Sequence, residues 1–145
     1  MIIGIFGESC TGKSSIAEAL QKNLNAKIYT GKDYLKLAKN EPEARKLFME
    51  LLKNNEITND YIIYVTSEKE HLSFLPEKAI RVLMTADLDI IKERFSKRMK
   101  NNMPPPVAQM LENKHGMFNN EKHDFHIHNG NMSVVDLYNK IINYK

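Results

Sequence analysis

The sequence predicts a three-layer α/β fold, a five-stranded parallel sheet with helices on both faces. Three observations point to it. Short β-branched runs alternate with longer segments of helical periodicity along the chain, as in strands joined by helical crossovers. The run Tyr61-Ile62-Ile63-Tyr64-Val65 is continuously apolar or aromatic, which suits a strand covered on both faces. The first apolar run ends in Gly7-Glu8-Ser9-Cys10-Thr11-Gly12-Lys13-Ser14, a complete G-x-x-x-x-G-K-[ST] string between strand-like and helix-like segments.

Each element has a local reason. Met1 to Phe6 is the first strand, and a helix runs from about Lys13 to Leu24 with Ile16, Leu20 and Leu24 four apart on one face. Ala26 to Tyr29 is a short second strand, closed by a Thr30-Gly31 turn. A helical region from Asp33 to about Asn54 is interrupted near Pro42. Asn40 and Glu43 have capping-box spacing there, and Ala44, Leu47, Phe48, Leu51 and Leu52 form an apolar stripe. After Tyr61 to Val65, Ile80 to Met84 is a fourth strand, followed by a helix with Asp87 as N-cap and Ile90, Ile91 and Phe95 inside. Pro106 opens a short helix ending near Gly116. Phe125 to His128 is the last strand, and Ser133 caps a final helix that turns Val134, Leu137, Tyr138, Ile141 and Ile142 inward.

Length and composition narrow the classes. A chain of 145 residues makes one domain, here 1–145, with a substantial core and little room for a second. The net charge of +3 comes from 17 lysines and 4 arginines spread along the chain, which suggests solvation more than a nucleic-acid surface. The single cysteine, Cys10, excludes an internal disulfide framework and suits a reducing compartment. The first apolar run stops at Gly7 and no segment approaches the ~20 apolar residues of a membrane span. The expected setting is the cytoplasm, with no membrane and no nucleic-acid partner, as a monomer or homodimer.

The glycine-rich string carries chemistry. A loop around a phosphate turns several N–H groups inward, and Gly7 and Gly12 take the conformations this needs. The following helix aims its unpaired N–H groups and the positive end of its dipole at the same phosphates. Lys13 adds a flexible charge for the outer phosphates, and the Ser14 hydroxyl is placed to ligate magnesium. Ordinary residue frequencies give such a string by chance only roughly a few times in a thousand. The nucleotide-contacting set is therefore Gly7, Glu8, Ser9, Cys10, Thr11, Gly12, Lys13, Ser14 and Ser15. Cys10 reads as a small loop residue ahead of a reactive thiol.

Over essentially its whole length the chain resembles the nucleoside monophosphate kinase-like group of P-loop kinases, which includes adenylate, cytidylate, shikimate and gluconate kinases. The phosphate loop is specific for that superfamily. Tyr29-Thr30-Gly31-Lys32-Asp33-Tyr34-Leu35-Lys36 is similar to its second strand and turn, which implies that Asp33 faces the phosphoryl acceptor and Lys36 stands where an arginine often binds the acceptor's phosphate. Asp33 could equally cap the helix that follows, and the two roles are compatible. Ala86 to Arg98 is similar to the segment leading into the lid, with Arg94 and Arg98 as its R-x-x-x-R pair. The resemblance implies that Arg94 lies by the base and Arg98 reaches the transferring phosphates, the alternative being a solvated basic face. His123 to Gly130 resembles the last strand and the loop that touches adenine, which implies a contact from Asn129. The implied fold is the P-loop kinase fold with a short lid at about 99–118, and the implied cofactors are ATP and Mg2+.

The chain also departs from that pattern. Thr66 and Ser67 follow the third strand where a magnesium-assisting carboxylate is expected, leaving Glu68 as the nearest candidate and Glu8 as a second. The lid carries no arginine after Arg98 and contains Pro104-Pro105-Pro106, a stiffened version that could continue through Lys114 and His115 to Phe118. On the acceptor side only Arg45, Lys36 and Lys39 are available. His115, His123, His126 and His128 lack the spacing of a zinc site, and the basic run Lys92, Arg94, Lys97, Arg98 and Lys100 lacks interleaved stacking aromatics.

The expected activity is transfer of the γ-phosphoryl group of ATP to a nucleoside monophosphate, cytidylate-like ahead of the others, with Lys13, Asp33, Arg94 and Arg98 catalytic and Ser14 and Glu68 on the metal. A small hydroxylated metabolite is the alternative acceptor, because a shortage of cations also fits an acceptor without phosphate. A nucleotide-binding module with little kinase activity is a third reading.

Overall fold

The computed structural model describes residues 1–144. Strands β1 (Ile2–Phe6), β2 (Lys27–Thr30), β3 (Ile62–Thr66), β4 (Ile80–Thr85) and β5 (Phe125–His128) form one sheet in the order β2-β3-β1-β4-β5. All pairings are parallel. β1 is central, and after β3 the chain crosses to the far side of β1 to lay down β4. The loop leaving β1 therefore opens at the carboxyl edge of the sheet, where ligands of open α/β sheets bind.

Alternation along β1 builds two cores. Ile3 and Ile5 point to one face, against Ala17 and Leu20 of α1 (Lys13–Leu24) and Leu137 and Ile141 of the C-terminal helix. Ile2 points to the other, against Ala44, Phe48 and Leu52 of α2 (Glu41–Asn54). Gly4 faces that side too. A Cβ on it would stand 2.5 Å from Cδ1 of Leu75, so the glycine lets Leu75 close over the strand. At the carboxyl end, α3 (Leu88–Arg98) and α4 (Pro105–Lys114) share a smaller core of Ala86, Ile91 and Leu111 that also buries Cys10 of the phosphate loop.

Several expected boundaries move. The region 33–54 is two elements, a 3-10 helix Asp33–Leu37 and then α2. Pro42 opens α2 instead of interrupting it, and Asn40 caps it by accepting from the Glu43 amide at 3.0 Å. Ala44, Phe48 and Leu52 make the buried line, while Leu47 is 38% exposed because the helix turns only a narrow face inward. α5 (Val134–Ile142) has its Ser133 cap on the Asp136 amide, but Ile142 in its last turn is exposed. Asp87 sits at the N-cap of α3, yet its carboxylate accepts from His128 Nε2 and Asn129 Nδ2. α4 starts at Pro105 instead of Pro106. At the end of the segment 99–118, Phe118 is buried against Phe6 and Leu83. Among the described residues no helix is long and apolar enough to cross a membrane.

Candidate active site

The phosphate loop owes its shape to a few backbone positions. Gly7 has φ +156°, and a Cβ there would lie 2.0 Å from the Met84 carbonyl oxygen, so β4 can pass this close only to glycine. Gly12 at φ +94° precedes α1 and supplies no side-chain cap, and no acidic residue occupies the first turn. The leading N–H groups of α1 and its dipole are thus left without an acidic side chain from the helix itself.

Lys13 is buried in this loop. Its Nζ donates to the Glu8 carbonyl at 2.6 Å, and Thr11 Oγ1 donates to the same oxygen at 2.9 Å. Burial lowers its pKa to about 8; neighbouring Cys10 raises it, and nearby Arg98 adds to the lowering. At neutral pH it remains an ammonium, held straight and poorly hydrated, ready for phosphate oxygens.

A cleft of about 680 Å³ opens beside the loop. Ser9, Lys13, Ser14 and Ser15 border it on one side, Thr30 to Asp33 on a second, Thr66 to Glu68 on a third, and Arg98 reaches it from the end of α3. The structure thus brings Lys13, Ser14, Asp33, Glu68 and Arg98 to one space. The Asp33 carboxylate accepts from the Thr30 amide at 2.9 Å and from its hydroxyl at 3.0 Å. These bonds, the backbone one first, hold its carboxyl below the usual range and aim it along the cleft wall. Asp33 folds back on β2 in this way and does not cap the turn that follows. Glu68 is exposed, and its amide donates to Thr66 Oγ1 at 3.1 Å.

Arg94 lies on the other side of the loop. Its Nη1 donates to the Cys10 carbonyl at 2.9 Å, and it borders a depression shared with Thr11, Ser15, Met84 and Gly130. Asn129 stands beside that depression, but its side chain is engaged. Oδ1 accepts from the Asp87 amide and Nδ2 donates to the Asp87 carboxylate, both at 2.9 Å.

Four expected site residues fall elsewhere. Glu8 turns away from the cleft, with its carboxylate on His115 and on the Gly116 amide, so it does not stand with Ser14 and Glu68. Arg45 pairs with Glu41 at 3.0 Å over the Phe74 ring, on the outer side of α2. Lys36 and Lys39 do not border the cleft. Sequence reasoning missed Lys32, Thr66 and Ser67, which do border it. The signal was available, since Thr66 and Ser67 lie where β3, next to β1, reaches the carboxyl edge, and Lys32 lies just past the end of β2 on the same edge.

No protein-family model matches the chain, and no curated protein sequence matches it. Its fold does match solved structures. A candidate kinase from Chloroflexus aurantiacus superposes with a TM-score of 0.69 at 10% identity, over 99% of this chain and 97% of that one. Shikimate kinase from Acinetobacter baumannii gives 0.62 at 15% identity, over 97% and 90%. The YorR protein from Bacillus subtilis gives 0.61 at 21% identity, over 98% and 94%. The architecture is therefore the α/β fold of the P-loop kinases.

Proposed function

We propose that this protein is an ATP-dependent phosphotransferase whose acceptor is a small hydroxylated molecule without a phosphate of its own. One observation carries the acceptor half of this reading. The donor-end residues Lys13, Ser14, Glu68 and Arg98 and the carboxylate of Asp33 share one cleft, whereas Lys36, Lys39 and Arg45 stay outside it. A nucleoside monophosphate needs a cationic cradle at that place. The expectation of a cytidylate-like acceptor therefore gives way to the small-metabolite alternative, and the likeness to shikimate kinase supports the same side.

The chemistry follows from the positions. The phosphates of ATP lie on the loop amides and the α1 N-terminus, with Lys13 across the outer ones. Ser14 and Glu68 supply a hydroxyl and a carboxylate on one cleft, a hard-oxygen set that fits Mg2+. When bound, such an ion would offset the negative charge of the phosphates held by Lys13 and the loop. Asp33, ionised and fixed by Thr30, accepts the proton of the acceptor hydroxyl. The hydroxyl oxygen forms its bond to the γ-phosphorus as the bond to the bridging oxygen breaks and ADP leaves. Arg98 stabilises charge on the transferring group. Glu68 on the cleft wall supports the kinase reading over a module without activity.

A nucleoside monophosphate acceptor keeps one argument. Lys32 and Arg98 do face the cleft, and the similar YorR protein was crystallised with phosphorylated GDP. ADP formation from ATP and Mg2+, measured across the common nucleoside monophosphates, shikimate, gluconate and related polyhydroxy acids, separates the readings. Turnover confined to hydroxylated acids is expected. Turnover confined to nucleoside monophosphates would refute the acceptor assignment, and none with any acceptor would refute the kinase reading.

A further inference from the structure

An acidic side chain within a phosphate-binding loop repels the ligand unless it is turned away and tied down. Glu8 is both. Its side chain is 8% exposed, and His115 Nδ1 lies 3.0 Å from Oε1 while the Gly116 amide donates to Oε2 at 3.1 Å. His115 is the C-cap of α4, and Gly116 follows at φ +81°, a left-handed turn that presents its amide to the carboxylate. The carboxylate faces a separate cavity of about 310 Å³, so it has no contact with the cleft that would take the nucleotide.

The tie reaches further in both directions. α4 is fastened to α3 through Leu111 against Ile91 and through the Lys92–Glu112 ion pair, and α3 sends Arg94 to the Cys10 carbonyl. Within the loop, the carbonyl of Glu8 itself is what Lys13 Nζ and Thr11 Oγ1 both hold. Any shift of the Glu8 backbone moves the oxygen that aims Lys13.

We infer that Glu8 is a positioning residue: its carboxylate, gripped by His115 and the Gly116 amide, fixes the phosphate loop to the α3–α4 arm and so sets the place of Lys13. This role rests on the nucleotide-binding part of the proposed function and adds to it a side chain that is turned away from the ligand cleft. The arm and the loop then act as one body, so this arm is an anchor for the loop and not a free lid.

The test is titration calorimetry of the full chain with ATP and Mg2+, together with a thermal melt of each variant. Glu8→Ala is expected to weaken binding about tenfold and His115→Ala about fivefold, the scale of a lost hydrogen bond to a charged group. Because both act through one contact, the double variant binds no weaker than Glu8→Ala alone. Glu8→Gln, which keeps an acceptor for Gly116 and a partner for His115, recovers most of the affinity that Glu8→Ala loses. A merely structural role would lower the melting temperature without this order of affinities. If Glu8→Ala does not fold, His115→Ala decides, because it leaves the Gly116 bond in place. Wild-type affinity in His115→Ala, or losses that multiply in the double variant, would overturn the inference alone. A wild-type chain that binds no ATP would overturn the nucleotide reading and this inference with it.

Discussion

At the scale of single residues, burial and charge set what each group can do. Lys13 is the clearest case. The unfolded chain binds its proton with an ordinary lysine pKa near 10.5, whereas the folded chain holds it at about 8. Between those values the unfolded state carries more protons, so the contribution of Lys13 to stability rises with pH across that window. Below it, the folded protein keeps a buried cation that costs stability until phosphate arrives. Lys13→Met should therefore bind ATP at least ~100-fold more weakly while melting no lower than the wild type without ligand. Isothermal titration and a melt of the same sample check both halves. The same pKa gives a pH profile: kcat/KM, which reports the free enzyme, falls as pH rises through about 8 and Lys13 loses its proton. Asp33→Asn removes the proposed proton acceptor and should lower kcat ~100-fold or more with little change in KM for ATP, measured by steady-state kinetics.

At the scale of elements, the ends of helices explain where sequence reasoning was sharp and where it slipped. Caps were legible because they are local. Asn40 on the Glu43 amide and Ser133 on the Asp136 amide both stand as their spacing suggested. Asp87 shows the limit. Nothing in its neighbourhood announces that its carboxylate will be drawn 41 and 42 residues away to His128 and Asn129. The apolar stripe of α2 was legible too, but how much of it the sheet covers is a tertiary matter, so Leu47 emerged exposed. Asn40→Ala should cost about 1 kcal/mol, a fall of about 3 °C in melting temperature, with kinetics unchanged in the surviving fold.

At the scale of the whole molecule, the donor end was readable and the acceptor end was not, for one physical reason. The phosphate loop is a contiguous string and the binding proposed for it belongs to its backbone, so its sequence nearly states the proposed mechanism. The proposed acceptor wall is assembled from the ends of β2 and β3 and the end of α3, which only the fold brings together. Lys32, Thr66 and Ser67 were therefore overlooked, while Lys36, Lys39 and Arg45 attracted attention that their positions do not support. Arg45→Ala should leave the KM of every acceptor unchanged, since Arg45 serves Glu41 and the Phe74 ring.

The most direct test of the cleft's proposed role is to follow the phosphoryl group itself. Phosphorus NMR of the chain with ATP, Mg2+ and a mixture of polyhydroxy acids and nucleoside monophosphates reads the fate of the γ-phosphorus. A new phosphate monoester appearing on a hydroxylated acid in step with ADP, and absent in Asp33→Asn, is the predicted result. A γ-phosphorus that ends on a nucleoside monophosphate, or only in free inorganic phosphate, would contradict the account.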